Sequence, residues 1–224
     1  MQPEKRLHFF ITGTDTGVGK TLLGAALLRA WRRSGLAAVG LKPIATGSRE
    51  DAALLQEATG QDLSLQEINP FFFRRPVAPA IAAEEEGRPL CLPEVAEKIR
   101  LWLAKFPYAV VEGVGGWKTP LGSTETVRDL AVLLGLPVIV VALCRLGVLS
   151  HTLLTVESIR AAGLTPAGIL LNGFAEPSAK VREETAVWLR RQAGVPVGSV
   201  AEMSELAASP PDWLLPSFPR EGSR

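Results

Sequence analysis

The sequence predicts an α/β fold, a three-layer αβα arrangement with a mostly parallel central sheet, carried by one domain over residues 1–224. Three observations predict it. Short β-rich runs alternate along the chain with stretches of helical apolar spacing, as a repeated strand–helix crossover requires. The runs Val138-Ile139-Val140-Val141 and Ile169-Leu170-Leu171 are apolar throughout, which fits strands covered on both faces rather than half-exposed ones. Apolar residues make up 47% of the chain, enough for one substantial core, and no linker-like stretch divides them.

Taken in order, strands are expected over 7–12, 38–42, 108–112, 137–143 and 168–172, with a weaker pattern over 195–200. Helices are expected over 20–33, 51–58, 93–105, 127–134, 148–162 and 179–192, several of them ended by glycine. The segment 69–93 breaks this rhythm. It holds five prolines and the cluster Phe71-Phe72-Phe73, and it reads as a long functional loop or cap, ordered because such large apolar side chains need a place to pack. The closing stretch "SPPDWLLPSFPREGSR" reads as an irregular tail. There is no internal repeat.

Lysine and arginine total 24 against 23 aspartates and glutamates, a net charge of +1. That balance lacks the basic footprint that nucleic-acid or anionic-membrane binding needs, so the expected partners are small molecules or a second copy of the chain. No apolar run reaches the length of a membrane span and none precedes the first strand, so a cytoplasmic protein is expected. Cys91 and Cys144 lie far apart with no further ligand spaced for zinc, and Cys144, inside an apolar run, reads as core.

The first strand runs directly into a glycine-rich turn, "FFITGTDTGVGKT". A phosphate-binding loop needs glycines that let backbone N–H groups turn inward, a lysine to reach the outer phosphates and a hydroxyl for magnesium, all between a strand and a helix. Gly17, Gly19, Lys20 and Thr21 meet that need. The strict spacing wants glycine at position 14, where Thr14 stands with Gly13 one place earlier, so the motif is a variant. ATP or GTP is the expected ligand.

In open α/β sheets chemistry gathers at the carboxyl ends of the strands. The second strand ends in "GLKPIATGSREDA", placing Lys42 before a proline, then the hydroxyl-bearing Thr46 and Ser48, then Asp51 at a helix start. Taken singly, Lys42 reads as a surface lysine, and Asp51 as a first-turn aspartate favoured by the helix dipole. The third tip, "VVEGVGGW", ends a buried strand with Glu112 and follows it with Gly113, Gly115 and Gly116, which allow a ligand close to the backbone. A carboxylate there suits magnesium or its water ligands.

Together GTDTGVGKT, KPIATGS followed by aspartate, and VEGVGGW resemble the dethiobiotin synthase family across nearly the whole chain. "INPFFFRRPVAPAIAAEEEG" resembles its substrate segment, "RLGVLSHTLLT" its helix start, and Asn172 its adenine-contacting asparagine. The resemblance implies a P-loop NTPase-like homodimer that closes a cyclic urea on 7,8-diaminononanoate with carbon dioxide, ATP and Mg2+. It implies Lys42, Lys20 and Thr16 as catalytic residues, and Thr21, Asp51 and Glu112 around the metal. ATP would be held by Gly17, Val18, Gly19, Lys20, Thr21, Leu22, Asp51, Glu112, Gly113, Val114, Gly115, Asn172, Gly173 and Ala201. The substrate would meet Lys42, Thr46, Pro79 and Gly116, with its carboxylate on the N–H groups of Val148, Leu149 and Ser150. This chain departs from the family pattern at Thr46, where serine is usual, at Arg145 for lysine, at Ser150 for asparagine and at Ala201 for proline, and no tyrosine stands in the 180s.

Three other classes fit a phosphate loop. Partitioning or switch ATPases act through a protein partner; they usually carry a lysine early in the loop, where Gly13 and Thr14 stand, and often an amphipathic terminus. Cobyrinic acid amide synthases need a further glutamine-hydrolysing domain, for which the chain lacks the length. A small-molecule kinase would use Arg74 and Arg75 as lid arginines.

Overall fold

The computed structural model describes residues 6–60, 63–173, 178–201, 206 and 210–215. Its central sheet has six strands: β1 (Leu7–Gly13), β2 (Ala38–Leu41), β5 (Tyr108–Glu112), β6 (Val138–Leu143), β7 (Pro166–Asn172) and β8 (Val197–Val200). Their order is β2-β5-β1-β6-β7-β8, and every neighbouring pair is parallel. Val138 to Val141 and Ile169 to Leu171 are fully buried although successive side chains point to opposite faces, so both faces of the sheet are covered, as their unbroken apolar runs require.

The cover comes from helices in pairs. The first of them, α1 (Lys20–Arg33), packs on α2 (Glu50–Thr59), α5 (Leu92–Lys105) on α6 (Val127–Leu134), and α7 (Val148–Ala161) on α8 (Ala179–Ala193). Each lies within two residues of its expected bounds. Gly60, Gly135 and Gly194 end α2, α6 and α8 in the left-handed conformation. Among the described residues no helix is long and apolar enough to cross a membrane.

The 69–93 segment is more regular than expected. Phe71–Phe73 forms β4, which pairs in parallel with β3 (Ile44–Thr46) as a separate two-stranded sheet beside the main one. These strands are only three residues long and follow Pro43 and Pro70, so no alternation had room to show. Pro79 opens α4 (Pro79–Glu85) from the first turn, where a missing N–H costs no hydrogen bond. Ahead of β4, α3 (Leu65–Ile68) is set by a capping box between Ser64 and Glu67. The irregular tail is also partly tied down: Asp212–Leu214 makes a 3₁₀ turn, and the carbonyl of buried Leu214 accepts a hydrogen bond from the Trp31 indole at 3.2 Å. The end of that stretch, beyond 215, lies outside the described residues.

Sheet order positions the site. Because β5 lies between β1 and β2, with Ile11 opposite Glu112 and Leu41 opposite Val111, the tips of these three strands stand side by side.

Candidate active site

Between the end of β1 and the start of α1 the chain makes a tight loop. Gly17 and Gly19 take φ of 73° and 100°, the left-handed region that lets consecutive N–H groups face one concavity. The displaced Gly13 has its own reason: a Cβ there would stand 2.7 Å from Val18 Cγ2 and 2.8 Å from the Asp15 carbonyl oxygen. The Thr14 N–H donates to the Val141 carbonyl at 3.0 Å, and the Asn172 amide donates to the Val18 carbonyl at 3.0 Å. Val18 and Asn172 are both buried, and they brace the loop from within.

Lys20 is buried and its Nζ donates to the Asp15 carbonyl at 3.1 Å, curling over the loop it follows. Burial lowers its pKa below the ordinary lysine value, against the pull of Glu112, and the nearby Lys42 ammonium adds to the lowering. Lys42 itself, one residue past β2, is 2% exposed. Its Nζ lies 2.5 Å from Glu112 Oε1, 2.8 Å from Asp51 Oδ2 and 3.4 Å from the Gly113 carbonyl oxygen. Burial alone would push this ammonium down, but the facing carboxylates Glu112 and Asp51 hold its pKa above the ordinary value. For Asp51 burial pulls upward, and the Lys42 ammonium with the Thr21 hydroxyl outweighs it, so its pKa is lowered.

The Thr21 hydroxyl donates to Glu112 Oε1 at 2.9 Å. Glu112 is fully buried, and its Oε2 has no hydrogen-bond partner among the described residues. A buried carboxylate oxygen left orphaned invites a cation or water. Thr21, Asp51 and Glu112 form an all-oxygen donor set of the kind Mg2+ takes, and no group of three or more His, Cys, Asp or Glu side chains able to hold a metal occurs among the described residues. Two carboxylates and a hydroxyl therefore fit a magnesium ion that takes its remaining ligands from water and phosphate.

These groups line a cavity of about 370 Å³. Of the residues expected in the site, it gathers Thr16, Gly17, Gly19, Lys20, Thr21, Leu22, Lys42, Thr46, Asp51, Glu112, Val114 and Gly115. Gly113 stands just behind, with its carbonyl toward Lys42 and its N–H donating to Ile11 at 2.9 Å. The Gly116 N–H is engaged by Thr119 Oγ1 at 2.8 Å. Pro79 is buried at the start of α4, away from this lining, and Gly173 and Ala201 follow β7 and β8. Val148, Leu149 and Ser150 line a different cavity of about 740 Å³ at the start of α7. Glu50 and Ser48 line the phosphate cavity with no role expected of Glu50. The signal available for it was its place as the first residue of α2, at the same acidic helix start as Asp51.

A glycine loop before a helix, with a lysine and a carboxylate at the neighbouring strand tips, defines an α/β P-loop protein built to hold a nucleotide's phosphates. A family profile described as an AAA domain matches residues 8–209. The chain is 50% identical over 167 residues to the ATP-dependent dethiobiotin synthetase BioD of Anaeromyxobacter dehalogenans, covering 73% of this chain and 75% of that one. It is 42% identical over 215 residues to the enzyme of the same name from Aromatoleum aromaticum, covering 90% and 95%. The chain belongs to the ATP-dependent dethiobiotin synthetase family. Among solved structures, a ParA family ATPase from Chlorobium tepidum superposes with a TM-score of 0.54 at 15% identity, covering 95% of both chains. The cell division protein FtsY from Thermotoga maritima gives 0.51 at 14% identity, covering 90% of this chain and 64% of that one. At such identities these likenesses are of fold alone.

Proposed function

We propose that the chain is an ATP-dependent cyclo-ligase that closes a urea ring on 7,8-diaminononanoate with carbon dioxide, giving dethiobiotin in biotin biosynthesis. The observation that carries this reading is the Lys42 ammonium held between Glu112 and Asp51 at the edge of the phosphate cavity, in a chain that is 42% identical over 215 residues to a protein named as a dethiobiotin synthetase. A phosphate loop alone serves many ends. A buried cation beside it suits a reaction in which a second anion, a carbamate, must approach the triphosphate.

One substrate amine adds to carbon dioxide and loses a proton, forming a carbamate. A carbamate oxygen then takes the γ-phosphoryl group of ATP, releasing ADP and leaving a mixed anhydride. The second amine attacks the carbonyl carbon, a C–N bond forms, the C–O bond to phosphate breaks and inorganic phosphate departs, carrying the proton that the amine gives up. Little of this needs a protein acid or base, and much of it needs charge compensation and alignment. Lys42, whose pKa is raised, stays an ammonium and serves as a fixed positive charge for the carbamate and the transferring group. Lys20, Thr16 and the N–H groups of Gly17 to Leu22 cradle the phosphates, and Thr46 meets the diamine. Thr21, Asp51 and Glu112 hold magnesium, which when bound neutralises phosphate charge. Asn172, Gly173 and Ala201 lie toward the base, with Gly113, Val114 and Gly115 along the nucleotide.

The remaining substrate contacts belong to a homodimer. Leu149, Val181 and Trp188 leave an apolar surface exposed beside the start of α7. A second copy packed there brings the N–H groups of Leu149 and Ser150 within use of a carboxylate, with Gly116 along the aliphatic path, whereas the Val148 N–H already donates to the Arg145 carbonyl at 3.0 Å and Pro79 is buried at the start of α4. The enzyme works in the cytoplasm as one domain. The test is ADP release measured with and without diamine and bicarbonate: release should appear only when both are present, with the cyclic urea formed in equal amount. ATP turnover that is the same without the diamine defeats the proposal and favours a switch ATPase.

A further inference from the structure

We propose that Asn69 is a positioning residue for Lys42, holding the root of the lysine in place through its main chain. The proposal rests on the role given to Lys42 above, and it adds a residue that does not line the cavity.

Lys42 stands where the chain leaves the six-stranded sheet, after Leu41 ends β2 and before Pro43, which has no N–H to offer. Its own backbone groups would be buried there without sheet partners. Two consecutive residues supply them: the Lys42 N–H donates to the Ile68 carbonyl at 2.9 Å, and the Lys42 carbonyl accepts from Asn69 Nδ2 at 2.8 Å. The peptide of the lysine is thus gripped on both sides by the end of α3, a helix fixed in turn by its capping box.

Asn69 is fully buried. Its Nδ2 faces two carbonyl oxygens, those of Lys42 and, at 3.4 Å, Phe71, which settles the orientation of the amide because carbonyls only accept. Its Oδ1 is buried and has no hydrogen-bond partner among the described residues. An orphaned acceptor in a core is costly, and an apolar side chain would fill the space without that cost. The amide therefore earns its place by what its N–H does, and that N–H holds Lys42. The stem from Cα to Nζ is long enough that a small rotation of this peptide moves the ammonium by an ångström or so, a displacement that can cost on the order of a hundredfold in rate at a reacting centre.

The experiment uses Asn69→Asp, which keeps the shape without the amide donor, and Asn69→Ala, which tolerates burial if the aspartate variant does not fold. In ligand-free protein carrying 13C-labelled lysine, the Lys42 ε-methylene resonance is assigned by its loss in Lys42→Ala. It should shift in the Asn69 variants while other lysine resonances stay. In turnover, kcat should fall about 10- to 100-fold with ATP binding within about twofold of the parent. In a Lys42→Ala background the Asn69 change should add no further loss. An unmoved Lys42 resonance, or a rate loss that persists undiminished without Lys42, overturns the proposal and leaves the synthetase reading standing. A parent enzyme without diamine-dependent turnover overturns that reading, and the resonance still reports on Asn69.

Discussion

Replacing Lys42 with methionine removes one charge and little volume from the interior. In the parent, two ammonium groups, Lys20 and Lys42, face two carboxylates, Asp51 and Glu112. The variant leaves Glu112, fully buried, opposed to Asp51 with Lys20 as their remaining cation. Breaking a buried ion pair from one side costs about 3–5 kcal/mol, because the abandoned charge stays in a poor solvent. Asp51 is half exposed on its side chain and can relax toward water, so the low end applies, about 3 kcal/mol. For a chain of this size each kcal/mol moves the melting temperature by roughly 2–4 °C, which gives a fall of about 6–12 °C. Far-ultraviolet thermal melts of parent and Lys42→Met measure it directly.

The same arithmetic has a second arm. If Thr21, Asp51 and Glu112 hold a divalent cation, Mg2+ compensates the stranded carboxylates, and it should raise the melting temperature of the variant more than that of the parent. In the parent the ion must compete with the Lys42 ammonium for Asp51 Oδ2 and Glu112 Oε1. A variant that melts within about 1 °C of the parent would refute the charge reasoning. One that melts low and gains no more from Mg2+ than the parent would refute the metal assignment.

Two further predictions concern the frame of the site. Thr59→Val should lower the melting temperature by about 2–10 °C, because the buried Thr59 hydroxyl is the acceptor, at 3.0 Å, for the Gly40 N–H on edge strand β2; an unchanged melt would mean that N–H finds another partner. His8, half-buried with Nε2 against the Phe106 carbonyl at 2.9 Å, has its pKa lowered, first by burial and then by Arg6. The unfolded chain therefore takes the proton first, and stability held above the ordinary histidine value declines as pH falls through it. His8→Gln should flatten that decline in melts between about pH 6.5 and 5, and an identical slope in the variant would remove His8 from the account.

The helices that flank the main sheet were legible because most are long enough to show their period, and its central strands because buried parallel strands write unbroken apolar runs; the four-residue β8 left only a weak pattern. The phosphate loop was legible for a related reason: its glycines, lysine and threonine are contiguous, and their geometry is local. Asn69 was not, although it lies two residues ahead of the phenylalanine cluster. Nothing in the string Asn-Pro-Phe says that it returns to pair with the peptide of residue 42, since that contact depends on β3 and β4 lying side by side. Strand order was hidden in the same way. Lys42 and Glu112 are 70 residues apart, and only the insertion of β5 between β1 and β2 makes them neighbours.

The two ends of Lys42 are held by different means, and on the proposed reading that difference matters. Its root is clamped through its own main chain, by the Ile68 carbonyl and the Asn69 side-chain amide, neither of which lines the cavity. Its tip is held by Glu112 and Asp51, the same carboxylates that a magnesium ion would claim. A flexible four-carbon stem joins them. Two cations facing one pair of carboxylates repel, so magnesium in a loaded site would draw on a carboxylate oxygen that the ammonium leaves open, such as Glu112 Oε2, while the ammonium keeps its place. A lysine anchored in this way delivers its charge from a constant origin, and arginine, with a wider planar head, would not pass between the carboxylates as a compact point charge does.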